Sequence, residues 1–387
     1  MLTQKSIERL SKMGSKTHYV TSLYLNVDPS RNHGGYKIEL KDLLKDRRQA
    51  LDSMKSAQTI TRDQALSLEK DFARIEDFVQ HEYVNSTHSK GLVIFACSAT
   101  QFWEMIELPQ PVTSHLNADY DPYVRTLSEL LCEHRHYAVV LVDSAKAKIL
   151  DVNLGVVKEH MSLSDEVSSK VKYGGIDGSQ ERNINRAHEE MVQKHLRRVS
   201  GETQSLFEQN EIMWLILGGR QKILTQFEGQ LPQTLRKRVI GHIVVEPDAS
   251  LPEILIKADQ VAQQAESKYE QDLINRLRGE SHAAGGRGIF GLQPTLQSLR
   301  RGGVNTLVVA KGFKAPGFVC HKCFFIGTPE EKGNQDTCPI CAGKAHPVDD
   351  VIEEAITFAF MQGCRVENTA ENSRLKIMGN VGALLRF

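Results

Sequence analysis

The sequence predicts an α/β fold in three domains, on three observations. Strand-sized apolar runs alternate with amphipathic stretches of helical period along the chain. At 387 residues the chain exceeds one ordinary core, and a prior of about 100 to 200 residues per domain gives two to four. A polar, proline-flanked stretch at Pro109 to Pro122 and a flexible Ala283-Ala-Gly-Gly-Arg-Gly288 segment mark the joints. The expected division is 1–130, 131–278 and 279–387.

In the first domain a short helix precedes a strand over His18 to Val27, where Leu23, Leu25 and Val27 alternate until Asp28-Pro29 ends it. Helices are expected over Ile38 to Ser56 and Arg62 to Tyr83, the second with Leu68, Phe72, Ile75 and Phe78 at helical spacings. Strands follow at Gly91 to Cys97 and Trp103 to Leu108, and Pro109 to Pro122 reads as a linker.

The middle domain opens with the apolar run Tyr137 to Asp143, a turn at Ser144 to Lys146 and a strand over Lys148 to Val152, a hairpin that starts a mixed sheet. A helix over Gln180 to Gln209, broken or bent near Gly201, leads to a buried strand at Ile212 to Leu217. A helix at Ile223 to Phe227, a strand at Val239 to Val245 and a helix over Pro252 to Arg278 complete it. The third domain reads as a small α/β/α layer. Its order is helix Leu292 to Arg301, strand Thr306 to Val309, a cysteine-rich insertion at about 317–346, helix Val348 to Gln362, and strands at Arg365 to Glu367 and Gly382 to Phe387.

The 48 basic and 48 acidic residues cancel, so any nucleic-acid contact must come from local basic patches, not a global field. The amino-terminal residues lack an apolar core of signal-peptide length and the longest apolar runs are strand-sized, so a soluble, cytoplasmic protein with no membrane partner is expected. Four of the seven cysteines form two CxxC pairs, Cys320/Cys323 and Cys338/Cys341, with fourteen residues between them. That spacing lets four thiolates converge on one zinc ion. Four protein ligands leave no open position for water, so the expected zinc is structural.

The stretch Lys172-Tyr-Gly-Gly-Ile-Asp-Gly-Ser-Gln-Glu-Arg182 is a glycine-rich loop running into a basic helix. Neither the P-loop ending nor GxGxxG spacing is present, which argues against a nucleotide-phosphate loop. Asp177 with Gln180 three residues on also fits a helix cap, leaving Gly174-Gly175 as a hinge. Beyond the loop, Arg182, Arg186, Lys194, Arg197 and Arg198 load the helix with cations, while Ile184, Met191, Val192, Leu196 and Val199 supply a buried stripe. One side can pack while the other faces phosphates, or is merely solvated.

Several ordered landmarks resemble the archaeo-eukaryotic class I peptide-chain release factor family, which includes Pelota and a bacterial, Balon-like branch. They are Tyr137-Ala-Val-Val-Leu-Val-Asp143, the loop with Gly178-Ser179-Gln180, the basic helix to Arg198, and Ile216-Leu-Gly-Gly219. In the third domain they are Gly291-Leu-Gln-Pro-Thr-Leu-Gln-Ser-Leu-Arg-Arg-Gly302, the four-cysteine insertion and Gly379-Asn-Val-Gly-Ala-Leu-Leu-Arg-Phe387. The resemblance covers essentially the whole chain. It implies an A-site (decoding-like) first domain and a ribosomal-protein-like third domain. It also implies the ribosome as partner, at its rRNA, A site and peptidyl transferase centre, with tRNA and a translational GTPase of the elongation-factor class.

In that family a Gly-Gly-Gln loop promotes hydrolysis of the peptidyl-tRNA ester. By resemblance Gly178, Ser179 and Gln180 are the catalytic candidates, with Gln180 matching the glutamine and Ser179 replacing the second glycine. The Asn-Ile-Lys-Ser and Tyr-x-Cys-x-x-x-Phe motifs of the family's stop-codon domain are absent from residues 1–130, which argues against codon-specific termination. Two functions follow: codon-independent peptidyl-tRNA hydrolysis through the loop, or a non-catalytic hibernation or rescue factor that occupies the A site of idle ribosomes.

Overall fold

The computed structural model describes the chain except residues 1, 16, 32–33, 87, 166–177, 321, 333–336 and 371–373, and the side chains of residues 178–184. It is a mixed α/β protein with two compact units, Met1–Glu133 with Asp272–Phe387, and His134–Gln271. Among the described residues no helix is long and apolar enough to cross a membrane.

The first unit begins with α1 (Gln4–Ser11), whose Thr3 cap and Ser6 exchange side-chain bonds with each other's backbone. Then come β1 (Val20–Asn26), α2 (Gly35–Ser56), α3 (Arg62–Asp77), β2 (Gly91–Cys97), β3 (Phe102–Leu108), β4 (His115–Asp119) and α4 (Arg125–Glu133). The strands make an antiparallel sheet in the order β3-β2-β1-β4. Leu23 and Leu25 share one core with Leu40 and Leu44 of α2 and Leu68, Phe72 and Ile75 of α3. Two expectations are corrected. The supposed linker at Pro109 to Pro122 holds β4, an edge strand that puts Leu116 opposite Leu23. The expected helix to Tyr83 ends its α-helical course at Asp77 and continues as a π-helical turn over Phe78–Glu82.

The second unit contains β5 (Tyr137–Val142), β6 (Lys146–Asn153), β7 (Val156–Ser164), α5 (Gly178–Gln209), β8 (Trp214–Gly218), α6 (Gln221–Gln230), α7 (Gln233–Arg236) and β9 (Val239–Ile243). The helix α8 (Leu251–His282) begins here. The sheet order is β7-β6-β5-β8-β9, antiparallel from β7 to β5 and parallel from β5 to β9, so the predicted mixed sheet forms. Every residue of β5 is buried because both faces are covered. Ala138, Val140 and Val142 meet Val192, Leu196 and Val199 of α5. Val139 and Leu141 meet Ile254 and Ala258 of α8. The expected break at Gly201 does not occur: α5 runs unbroken through it for 32 residues.

Returning to the first unit, β10 (Gly288–Phe290), α9 (Leu292–Arg300) and β11 (Val304–Ala310) lead to a small sheet of β12 (Gly317–Cys320), β13 (Phe325–Gly327) and β14 (His346–Val348). The chain ends with α10 (Val351–Met361), β15 (Arg365–Thr369) and β16 (Val381–Leu385). The main sheet is β10-β16-β11-β15, with β11 and β15 parallel and the other pairs antiparallel. Arg125 ties the two sequence-distant parts of this unit together. Only 3% exposed, it donates to Glu129 at 3.0 Å, Asp350 at 2.5 Å and the Phe313 carbonyl at 2.8 Å.

Candidate functional site

The four cysteines converge. Cys320 ends β12, Cys323 lies in the turn before β13, and Cys338 and Cys341 lie between β13 and β14. Their sulfurs all fall within 4.8 Å of one another, with Cys320 to Cys341 and Cys323 to Cys338 each at 3.5 Å. A tetrahedral ion with metal–sulfur bonds of about 2.3 Å needs sulfurs about 3.8 Å apart, so the cluster can hold one metal ion.

The two pairs are built alike. The Phe324 N–H donates to the Cys320 carbonyl at 2.7 Å, and the Ala342 N–H donates to the Cys338 carbonyl at 3.0 Å. The residue after each pair is left-handed, with φ of 58° at Phe324 and 54° at Ala342. A non-glycine residue holds that conformation at a cost, here within two matching turns that aim their thiols at one point. A backbone N–H from Gly343 brings the Cys341 thiol down to about 7, whereas burial pushes the Cys320 and Cys323 thiols up, so the convergence of the four sulfurs and not their acidity marks the site.

In the second unit α5 separates its faces as its sequence demands. Val192, Leu196 and Val199 are buried, whereas Arg186, Lys194, Arg197 and Arg198 are exposed; Met191, expected in the buried stripe, is instead 44% exposed, because it lies at the stripe's margin one residue before Val192. At about 100° per residue these four cations fall within an arc of about 120°, opposite the buried stripe. Asp165, just after β7, receives His195 Nδ1 at 2.7 Å and Arg198 at 3.1 Å. The bond from His195 holds the Asp165 carboxyl below the usual carboxylate range, with Arg198 and Lys194 adding to it. His195, 2% exposed, is therefore a packed histidine that fixes the end of β7 against α5.

Gly178, Ser179 and Gln180 form the first turn of α5, so the helix begins slightly earlier than expected. The loop residues 166–177 lie outside the described residues, as do the side chains of Ser179, Gln180, Arg182 and Ile184. The cysteine cluster belongs to one unit and the basic helix to the other.

One feature of this unit was not anticipated. A cleft of about 570 Å³ lies at the carboxyl ends of the parallel strands β5 and β8, lined by Asp143, His188, Gln193, Gly219, Lys222 and Glu246 among others. Open α/β sheets place their crevices there. The Gly218-Gly219 pair after the buried strand was the available signal: a Cβ on Gly219, whose φ is +146°, would stand 2.3 Å from the Val142 carbonyl oxygen. Asp143 is occupied in closing the β5–β6 turn, accepting from the N–H groups of Ala145 and Lys146.

Residues 122–263 match the model of the bacterial archaeo-eukaryotic release factor family 10. This segment of the chain is release-factor-like. The matched segment contains the five-stranded sheet, its hairpin and the whole of α5. No protein of curated function matches the sequence. Among solved structures the chain is similar to an archaeal translation termination factor, aRF1, at 17% identity, covering 100% of this chain and 98% of that one, with a TM-score of 0.29. It is similar to Archaeoglobus fulgidus Pelota at 16% identity over 77% and 79% of the two chains, with a TM-score of 0.31. With S. cerevisiae Dom34, described as a translation termination-like factor that interacts with Hbs1, identity is 8% over 76% and 81%, with a TM-score of 0.43.

Proposed function

We propose that this release-factor-like protein is a cytoplasmic, ribosome-binding translation factor that enters the A site and promotes codon-independent hydrolysis of peptidyl-tRNA. The observation that carries the reading is the position of Gly178-Ser179-Gln180. These residues open a 32-residue helix whose exposed side bears Arg186, Lys194, Arg197 and Arg198, within the segment matched by the release-factor model. A cation-lined helix can follow phosphates while its tip enters a narrow site. A neutral glutamine there can position water against the ester, and its backbone N–H can stabilise developing charge on oxygen.

In this reading the chain works as three parts: an A-site-facing region at 1–130, the loop-bearing region at 131–278, and a region at 279–387 that engages a translational GTPase of the elongation-factor class. Cys320, Cys323, Cys338 and Cys341 hold zinc in a structural role, and tRNA is the remaining partner. Ser179 favours a second reading. Serine in place of glycine restricts the backbone where the family has none of that restriction, and a loop that fills the catalytic centre without hydrolysis suits a hibernation or rescue factor. A release assay on ribosomes carrying peptidyl-tRNA separates the two. Turnover that disappears in Gln180→Ala while binding persists supports hydrolysis, whereas tight binding without turnover in the wild type supports occupancy alone.

A further inference from the structure

Beside the cysteine cluster, within the first unit, a slot of about 440 Å³ opens between α9 and the turns of the small sheet. Phe324, Phe325 and Phe358 supply aromatic walls, Arg300 and Arg301 line one side, and none of the described lining residues is acidic. We propose that this slot is a binding site for single-stranded RNA, receiving one unstacked base while cations on its rim hold the neighbouring phosphates.

The walls are fixed before any ligand arrives. Arg300 is held internally: its guanidinium lies 4.1 Å from the centre of the Phe325 ring, pairs with Glu331 at 2.9 Å and donates to the Ile326 carbonyl at 2.6 Å. Phe325 in turn stacks on Phe318 with ring centres 5.6 Å apart. The left-handed backbone at Phe324 places that ring, half-buried, at the slot. Ile340, between Cys338 and Cys341, is 70% exposed and lies at the slot's edge. The turn that bends the chain around the thiols therefore also presents an apolar surface to solvent.

Charge selects the occupant. Arg301 is exposed and, among the described residues, has no ion-pair partner. Lys322 and Lys344 are exposed on the adjoining turns, and the Lys322 side chain passes beside Gly343, so each cysteine turn carries a cation where the two turns adjoin. A protein partner could use the apolar surface, but single-stranded RNA supplies both flat faces for the rings and regularly spaced anions for the rim. The volume is within the range of small-ligand pockets and suits a planar heterocycle. The preference for RNA over DNA rests on the translational reading above, whereas the chemistry of the slot does not.

The test uses the full metal-loaded chain and a short single-stranded RNA containing 4-thiouridine, with the matching DNA as a second arm. Irradiation followed by peptide mapping should place cross-links on the segments holding Phe324, Phe325 or Phe358. Arg301→Glu should lower the yield of that cross-link about tenfold, and Ile340→Ser several-fold. Both residues are solvent-facing, and unchanged metal content would show that the small sheet survives. Cross-links confined to α5, yields untouched by both variants, or loss of a co-purifying protein without loss of RNA cross-linking would each overturn the proposal. Free RNA, not ribosomes, is the probe, so failure here leaves the A-site reading to be judged separately through Arg186 and Arg197.

Discussion

Arg125→Ala is expected to unfold the first unit at markedly lower denaturant. The side chain of Arg125 is 4% exposed and that of its partner Asp350 12% exposed. Truncation leaves the Asp350 carboxylate without its cation and removes donors from Glu129 and the Phe313 carbonyl. Breaking a buried pair from one side costs about 3 to 5 kcal/mol. Asp350 keeps the N–H groups of Ile352 and Ala315, at 3.1 and 3.3 Å, so the lower end, about 3 kcal/mol, applies. With a urea slope of about 3 kcal/mol/M, the midpoint should fall by about 1 M. The chain has only two tryptophans, Trp103 in the first unit and Trp214 in the second, so fluorescence in a Trp214→Phe background reports the first unit alone. Arg125→Lys should recover part of the loss, keeping charge but not the fork. A midpoint shift below about 0.3 M for the alanine variant would refute the view that this guanidinium holds residues 125 and 350 together.

The remaining predictions concern pH, metal and charge. Burial, with Asp119 and Asp350 nearby, pushes the Glu353 carboxyl up to about 8, against opposing pulls from Arg125 and Lys314. The folded state therefore binds this proton more tightly than the unfolded chain. Its contribution is fully present below the ordinary glutamate pKa and is lost as pH rises through about 8. Glu353→Gln should flatten that loss in urea midpoints measured from pH 5 to 9. Elemental analysis should find one zinc per chain, and Cys338→Ser should abolish it together with amide-exchange protection in β12 to β14. Arg186→Glu with Arg197→Glu should weaken ribosome binding and lower the slope of log K against log salt by about 1 for each phosphate no longer neutralised.

Much of this architecture was legible because local patterns set it. The apolar run Tyr137 to Val142 had to be covered on both faces, and the CxxC spacing fixed which sulfurs could meet. What escaped had weak local signals. In β4 only Leu116 is buried, so its strand character comes from pairing with β1 and not from alternation. The edge strand β7 is mostly polar and exposed, with Met161 and Leu163 packing against the core. Gly201 reads as a helix breaker, yet a Cβ there would meet nothing within 4 Å. Burial of Val199 and Leu206 on either side outweighs a glycine penalty of about 1 kcal/mol. The Arg125–Asp350 pair joins residues far apart in sequence, and a single charged residue gives no warning that it will be buried. At the candidate site, spacing revealed the cysteines and helical period revealed the cations. The cleft beyond β5 and β8 depends on how strands are ordered in the sheet, which residue patterns alone do not determine.

Peptidyl-tRNA release on purified ribosomes, comparing wild type with Gln180→Ala, tests the central claim most directly. The expected result is hydrolysis by the wild type without a stop codon, and its loss in the variant at unchanged ribosome occupancy. Equal hydrolysis by both proteins, or none by the wild type on ribosomes it fully occupies, would contradict it.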